Sequence, residues 1–427
     1  MCDETEGPFV LIFCRRLKEE RALGRPRWVL AVAATALVAV VAAAGVVQVL
    51  RPLPSMSLTT NLVTSVAQPG QAHISWPQVR EAAVSVDGIG KVWSSGGEAE
   101  FPMASVTKIM TAYIVLRDHH LAEDADGPLL AVTAEDAEEY ESEVADGDST
   151  AAVAAGERLT ERGALEALML PSADNIAKLL ADWDAGSVDA FAAKMNETAR
   201  SLGMDHTDYT DPSGLAASTV STALDQLILV RKAMAVPAFA KIVAMPSATI
   251  PVAGVIKNFN AEMGEDGIIG VKTGSDTAAQ GCWAFAVRRE VGGTQRVVYG
   301  VVLGAPGSLS EMASAAVDAG MRLADAMPKT VQPMTVLSAG TVIGQITVPW
   351  SKTPVPVVTA RALSGLAIAG RHVGLSTQAR APGTASFDDG DQVGVVSASG
   401  LAEDASTPAV TAGSSGSPSF LWRLLRR

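Results

Sequence analysis

Phe101-Pro-Met-Ala-Ser105-Val-Thr-Lys108-Ile-Met-Thr-Ala-Tyr-Ile114 decides how this chain reads. Val106, Ile109, Met110, Tyr113 and Ile114 recur at helical spacing, so a helix opens at Ser105 and buries one face. Three residues are close to one helical turn, which brings the Ser105 hydroxyl and the Lys108 amine to the same side. A serine hydroxyl is a weak nucleophile at neutral pH and needs an adjacent base. A lysine serves as that base when burial and a second cation disfavour its charged form.

Two further strings complete a chemical set. Ser172-Ala-Asp174-Asn175 follows a helical pattern from Thr160 to Leu170 that Pro171 ends, so Ser172 opens a loop where it can relay a proton. Lys272-Thr273-Gly274-Ser275 ends the short apolar strand that begins at Ile268. Lys272 is the expected second cation and a partner for a substrate carboxylate. Gly274 is expected to let the strand edge approach a bound peptide with no side chain between. The backbone N–H groups of Ser105 and Ser275 are expected to hold an oxyanion.

Around these motifs the texture is mixed. Ala82–Val86 and Lys91–Ser94 alternate about Asp87-Gly-Ile-Gly90 as a hairpin, and Trp283–Val287 and Val297–Leu303 read as strands of one antiparallel sheet. Helical patterns cover Thr160–Leu170, Val188–Leu202 and Ser308–Ala326. Strands, then helices, then strands again make an α+β catalytic domain over 76–328. Beyond Pro328, short Val/Thr/Ile runs separated by Gly, Pro and Ser predict a small all-β domain over 329–400. Residues 401–427 are low-complexity and end in the basic amphipathic run Phe420-Leu-Trp-Arg-Leu-Leu-Arg-Arg427, which suits a bilayer interface but, at eight residues, is too short for a stable isolated helix and reads equally as a frayed tail.

The other end of the chain predicts a single membrane span. Trp28 to Leu50 holds 23 residues without a charge, enough as a helix to cross about 30 Å of hydrocarbon. Arg15, Arg16, Lys18, Arg21, Arg25 and Arg27 precede it and only Arg51 follows closely. That bias makes 1–27 a cytoplasmic segment, 28–50 an uncleaved signal anchor, and all that follows extracytoplasmic. Residues 51–75, rich in Pro, Ser, Thr and Gln, read as a linker. The net charge of −13 argues against a nucleic-acid partner. Cys2 and Cys14 precede the span and leave Cys282 alone beyond it, so no disulfide is expected outside. The five histidines lack metal-ligand spacing, and His119-His120 is expected at a helix end facing solvent; no metal or cofactor is expected. Eleven acids and no Lys or Arg between Glu123 and Asp148 read as a solvated acidic helix and loop.

Over Trp76 to Ala326 the chain resembles the serine D-alanyl-D-alanine carboxypeptidases, low-molecular-mass penicillin-binding proteins. Phe101–Thr111, Ala167-Leu-Met-Leu-Pro-Ser172, Asp211-Pro-Ser-Gly-Leu215 and Gly270–Ser275 carry the likeness. The resemblance implies a β-lactamase/transpeptidase-like fold, peptidoglycan stem peptides as substrates and β-lactam antibiotics as acylating ligands. It implies Ser105 as nucleophile, Lys108 as its base, Ser172 as relay, and Lys272 with Thr273, Gly274 and Ser275 on the substrate side. One departure stands out: the family's second motif is usually Ser-x-Asn, and here Asp174 holds the third place with Asn175 one later. Either Asp174 faces the substrate amide or Lys108, or Asn175 takes over the amide; the motif spacing favours Asp174 at the substrate. Two other functions compete. A class A-like β-lactamase needs a glutamate that activates the deacylating water, and no Glu-x-x-x-Asn follows Ser172. A non-catalytic membrane-anchored peptidoglycan-binding scaffold has only Asp174 in its favour.

Overall fold

The computed structural model describes residues 27–70, 74–260, 262–383 and 386–426. The segment expected to be cytoplasmic lies outside these residues except for Arg27. Ten helices are described: α1 (Arg27–Leu50), α2 (Lys108–Asp118), α3 (Ala134–Asp146), α4 (Glu161–Met169), α5 (Asp174–Ala185), α6 (Val188–Leu202), α7 (Ala223–Met234), α8 (Pro237–Val243), α9 (Met312–Thr330) and α10 (Phe420–Leu425). Helix α1 buries none of its residues and is long and apolar enough to cross a membrane.

A five-stranded antiparallel sheet organises the catalytic domain, in the order Ile268–Asp276, Gln280–Val291, Thr294–Ala305, Glu81–Val86, Val92–Ser95. The hairpin read from the sequence is present, with Ala82 opposite Ser95 and Ser85 opposite Val92. One face of the sheet, through Ala284, Ala286, Val301 and Leu303, packs on the helical cluster of α2, α4, α5, α6, α7 and α8. The other face, through Trp283, Phe285, Val298 and Val302, packs on Leu323, Ala324 and Met327 of α9. Cover on both faces explains why Gly281–Val287 is an unbroken buried run rather than an alternating one. The strand that carries Lys272 lies at the sheet edge, so one of its sides is open to the helical cluster.

Side-chain caps set the start of several helices. Thr160 caps α4 by accepting a hydrogen bond from Gly163 N, and Ser187 caps α6 through Ala190 N. Thr133 and Asp136 form a reciprocal capping box on α3. Gly203 ends α6 in a left-handed conformation. Helix α9 runs to Thr330, with Pro328 inside its last turn, and passes without a loop into the strand Val331–Leu337.

The β domain is larger than the composition suggests. Its seven-stranded sheet takes Val342–Thr347, Val355–Thr359, His372–Thr377 and Gln392–Ser399, and also Ala405–Thr411 from the low-complexity stretch. Both sheet edges come from 51–75, the stretch that reads as a linker. Ser57–Thr60 pairs with Val342–Thr347, and Ser65–Ala67 pairs with His372–Thr377. Strands three or four residues long leave no compositional mark. Their stability comes from partners about 300 positions away.

Two smaller expectations change. His119 ends α2 but stacks on Trp183 at 3.9 Å and meets Asp184 at 2.9 Å, so it is partly enclosed. Within the acidic segment, most of α3 is exposed but Glu143 is buried, and burial, with Asp174 next in weight, raises its pKa to about 7.

Candidate active site

Ser105 stands in a one-turn 3-10 helix, Ala104–Thr107, from which α2 continues at Lys108. Two glycines hold this turn by close backbone approach. A Cβ on Gly274 would lie 2.8 Å from Ser105 N, 3.1 Å from Val106 N and 3.2 Å from Met103 O. A Cβ on Gly214 would lie 2.0 Å from Ala104 O, and Ala104 itself has a left-handed φ of 48°. The Ser105 turn is thus wedged between the edge strand and the loop at 211–215. The glycine of the third motif clears room for the serine's own backbone, a role its spacing alone does not disclose.

The Lys108 side chain is fully buried and reaches three acceptors. Its Nζ donates to Ser105 Oγ at 2.8 Å, to Asp174 Oδ1 at 2.5 Å and to the Ser213 carbonyl at 2.9 Å. An ammonium donates to all three, and the neutral amine donates to Asp174 and the Ser213 carbonyl while its lone pair accepts from the Ser105 hydroxyl, so the same contacts serve both protonation states. The Ser213 carbonyl is aimed by an Asp-led turn. Asp211 Oδ2 accepts from Gly214 N at 2.7 Å, Leu215 N at 3.0 Å and Ser213 Oγ at 2.7 Å. Thr111, one turn after Lys108, donates to the Pro212 carbonyl at 2.6 Å and ties this loop to α2. The sequence offered Asp211–Leu215 as part of a likeness, but gave no sign that a backbone carbonyl from it would reach the lysine.

The second motif is arranged by the turn between α4 and α5. Ser172 adopts a left-handed φ of 65° and is buried, and its Oγ has no hydrogen-bond partner. A buried hydroxyl left unpaired is unfavourable unless something completes it. Asp174, first residue of α5, pairs with Lys108, and its own N–H donates to Ser149 O at 2.7 Å. Asn175 is engaged elsewhere: its Oδ1 accepts from Ala151 N at 3.1 Å and its Nδ2 donates to Ala151 O at 2.9 Å. The expectation that Asp174 faces the substrate amide therefore meets a carboxylate already held by Lys108. Asn175 instead fastens the 149–151 loop, which follows the acidic helix α3. The one-residue offset between the two side chains decides this, because successive positions on a helix face different neighbours.

Lys272 is also buried, and its Nζ donates to Thr273 O at 2.8 Å. Burial first, then the nearby charge of Lys108, lowers its pKa to about 7, and Asp174 opposes the shift. Thr273 is partly exposed and Ser275 is exposed on the same strand. The structure thus brings Ser105, Lys108, Asp174 and Lys272 into one electrostatic neighbourhood, with Ser172 on the turn that presents Asp174. Among the described residues no group of His, Cys, Asp or Glu is placed to hold a metal ion.

Comparison with known proteins covers the same region. A D-alanyl-D-alanine carboxypeptidase from Streptomyces sp. strain K15 is 34% identical over 230 residues, 50% of this chain and 75% of that protein. The D-alanyl-D-alanine carboxypeptidase DacB2 of Mycobacterium tuberculosis is 38% identical over 157 residues, so the match spans 34% of this chain and only 53% of that relative. A D-alanyl-D-alanine endopeptidase of Pseudomonas aeruginosa is 31% identical over 174 residues, 40% of this chain and 53% of that one. The crystal structure of the Streptomyces K15 DD-transpeptidase superposes with a TM-score of 0.51 at 27% identity, over 59% of this chain and 98% of that one. The carboxypeptidase DacD of Francisella tularensis shares the fold over 80% of this chain and 95% of its own, with a TM-score of 0.54 at 19% identity. Residues 78–307, which hold all three motifs and the whole of the geometry above, match the D-alanyl-D-alanine carboxypeptidase family, peptidase family S11, and the chain belongs to that family.

Proposed function

We propose that the protein is a serine D-alanyl-D-alanine carboxypeptidase that removes the terminal D-alanine from peptidoglycan stem peptides and is acylated by β-lactams. One observation carries the reading: Lys108 Nζ lies 2.8 Å from Ser105 Oγ while a buried carboxylate and a carbonyl hold the amine in place. In the reaction, Lys108 in its amine form takes the proton of Ser105, and Ser105 Oγ attacks the carbonyl carbon of the penultimate D-Ala. The N–H groups of Ser105 and Ser275 stabilise the oxyanion, supported by the contact of the edge strand at Gly274 with Ser105 N. The proton passes from Lys108 through the unpaired Ser172 hydroxyl to the leaving amine, the C–N bond breaks, and free D-Ala departs. Water then attacks the Ser105 ester and completes hydrolysis. Lys272 and Thr273 receive the terminal carboxylate. An amine in place of that water would give transpeptidation from the same acyl-enzyme.

The placement belongs to the same reading. We infer that α1 is a single-pass anchor with the catalytic domain outside the cell membrane, supported by its length, its exposed apolar surface and the basic residues before it. Fluorescent-penicillin labelling of wild type and Ser105→Ala tests the chemistry, with release of D-Ala from a D-Ala-D-Ala peptide as the second measurement. Labelling that persists in the variant removes Ser105 from its role. No labelling of wild type favours the scaffold reading, and rapid turnover of penicillin favours the β-lactamase. Carbonate extraction of membranes tests the anchor.

A further inference from the structure

The exit end of α1 does not hang free. Leu424 of α10 lies 3.5 Å from the position a Cβ would take on Gly45. Arg423 donates to Val49 O at 3.4 Å and Arg426 to Gln48 O at 3.3 Å, and Arg426 also reaches Arg51 O. The Gln48 amide returns a hydrogen bond to Arg426 O. The last carbonyls of a helix have no partner within it, and guanidinium groups complement both their hydrogen bonds and the negative end of the helix dipole. The contact therefore settles groups that α1 alone leaves open.

Helix α10 is tied in turn to the β domain. Trp422 meets Trp350 edge-on, with ring centres 5.8 Å apart. Trp350 Nε1 donates to Ser415 O at 3.2 Å and to Gly416 O at 3.1 Å, on the segment that leads into α10. Only 52–56 separate Arg51 from the strand Ser57–Thr60, which is an edge of the β-domain sheet. The chain leaving α1 thus enters the β domain directly and reaches the catalytic domain only after Ser65–Ala67 has closed the opposite edge. Phe420, Leu421 and Leu425 stay exposed beside the exposed apolar surface of α1 at Val46, Val47 and Leu50.

We infer that α10 is a strut that locks the exit of the anchor helix to the β domain. The ectodomain then stands on the outer membrane surface in one orientation, with the β domain against the lipid and the catalytic domain beyond it. This rests on the reading of α1 as a membrane anchor. A flexible tether would let Ser105 sample all heights above the membrane, whereas a strut fixes which layer of substrate it reaches.

The test uses the full chain in nanodiscs of phosphatidylethanolamine and phosphatidylglycerol, with Cys2→Ser and Cys14→Ser to silence the other accessible thiols. Cys282 is buried and stays. Gly45→Cys with Leu424→Cys is treated with a short bis-methanethiosulfonate, and Val38→Cys with Leu424→Cys, two turns deeper, is the control. The strut gives a cross-link within one chain for the first pair, seen as faster gel migration that reducing agent reverses, at least tenfold above the control. Equal yields from the two pairs overturn the strut while the anchor stands. A chain that carbonate extracts from membranes overturns the anchor, and a cross-link that still forms there shows the contact to be independent of lipid.

Discussion

Gly274→Ala is the sharpest probe of how the site is built. The glycine has no left-handed φ, so alanine fits its backbone and the cost is steric alone. The new methyl carbon would sit 2.8 Å from Ser105 N, and an ordinary contact begins near 3.4 Å, so the strand and the Ser105 turn must separate by about 0.6 Å. The opposing atoms are backbone and cannot rotate away. Overpacking of this kind costs about 1–3 kcal/mol, which for a domain of this size lowers the melting temperature by roughly 2–12 °C. The same displacement moves Ser105 Oγ relative to Lys108 and the oxyanion donors. A misplacement of about 1 Å costs on the order of a hundredfold in rate, so acylation should fall ten- to a hundredfold. The assays are the second-order rate of fluorescent-penicillin acylation and a thermal melt. A variant that melts with wild type but acylates slowly would mean that Gly274 clears only the ligand's path. A variant unchanged in both measurements would refute the wedge altogether.

Other expectations follow from the same geometry. Lys108→Ala should cut acylation by about a hundredfold or more while penicillin still binds, and unchanged acylation would place the base elsewhere. Lys272, with a pKa near 7, carries its charge below that pH and loses it as pH rises through it. Its grip on a substrate carboxylate should weaken accordingly, so kcat/KM for a D-Ala-D-Ala peptide should fall above about pH 7. Lys272→Gln should lower kcat/KM below about pH 7 toward the level the wild type reaches at high pH and abolish that limb; a wild-type profile flat from about pH 6 to 9 would exclude the role. Asn175→Ala strands the Ala151 N–H and carbonyl, and should cost about 2–4 kcal/mol in a denaturant titration, with any loss of activity following the loss of the 149–151 loop. Asp174→Asn keeps the shape but removes one partner of a buried ion pair, so it should lower the melting temperature, and an unshifted melt would show that the pair with Lys108 does not form.

Local signals carried most of the secondary structure and the outline of the site. The helical patterns from Thr160 and from Val188 to Leu202 and the hairpin about Asp87–Gly90 are short-range features, and each appears where the sequence places it. Ser105 and Lys108 are a single turn apart, so their pairing needed no tertiary information. The strand Ile268–Asp276 was legible as a strand, but its place at the sheet edge was not, because edge position depends on which strands arrive elsewhere in the chain.

The sequence by itself determined that Ser105 and Lys108 lie one turn apart on one face, the α+β order of the chain that carries them and an apolar helix before it, since periodicity and spacing act over a few residues. Tertiary structure alone decided that Asp174 pairs with Lys108 while Asn175 holds Ala151, that Ser213 lends its carbonyl, and that Gly274 makes room for the serine's backbone. It also decided that the stretch after α1 becomes two edges of a sheet whose partners lie about 300 residues on. Contacts of that range leave no local pattern: a short polar strand, a buried carbonyl or a close glycine takes its meaning only from what packs against it.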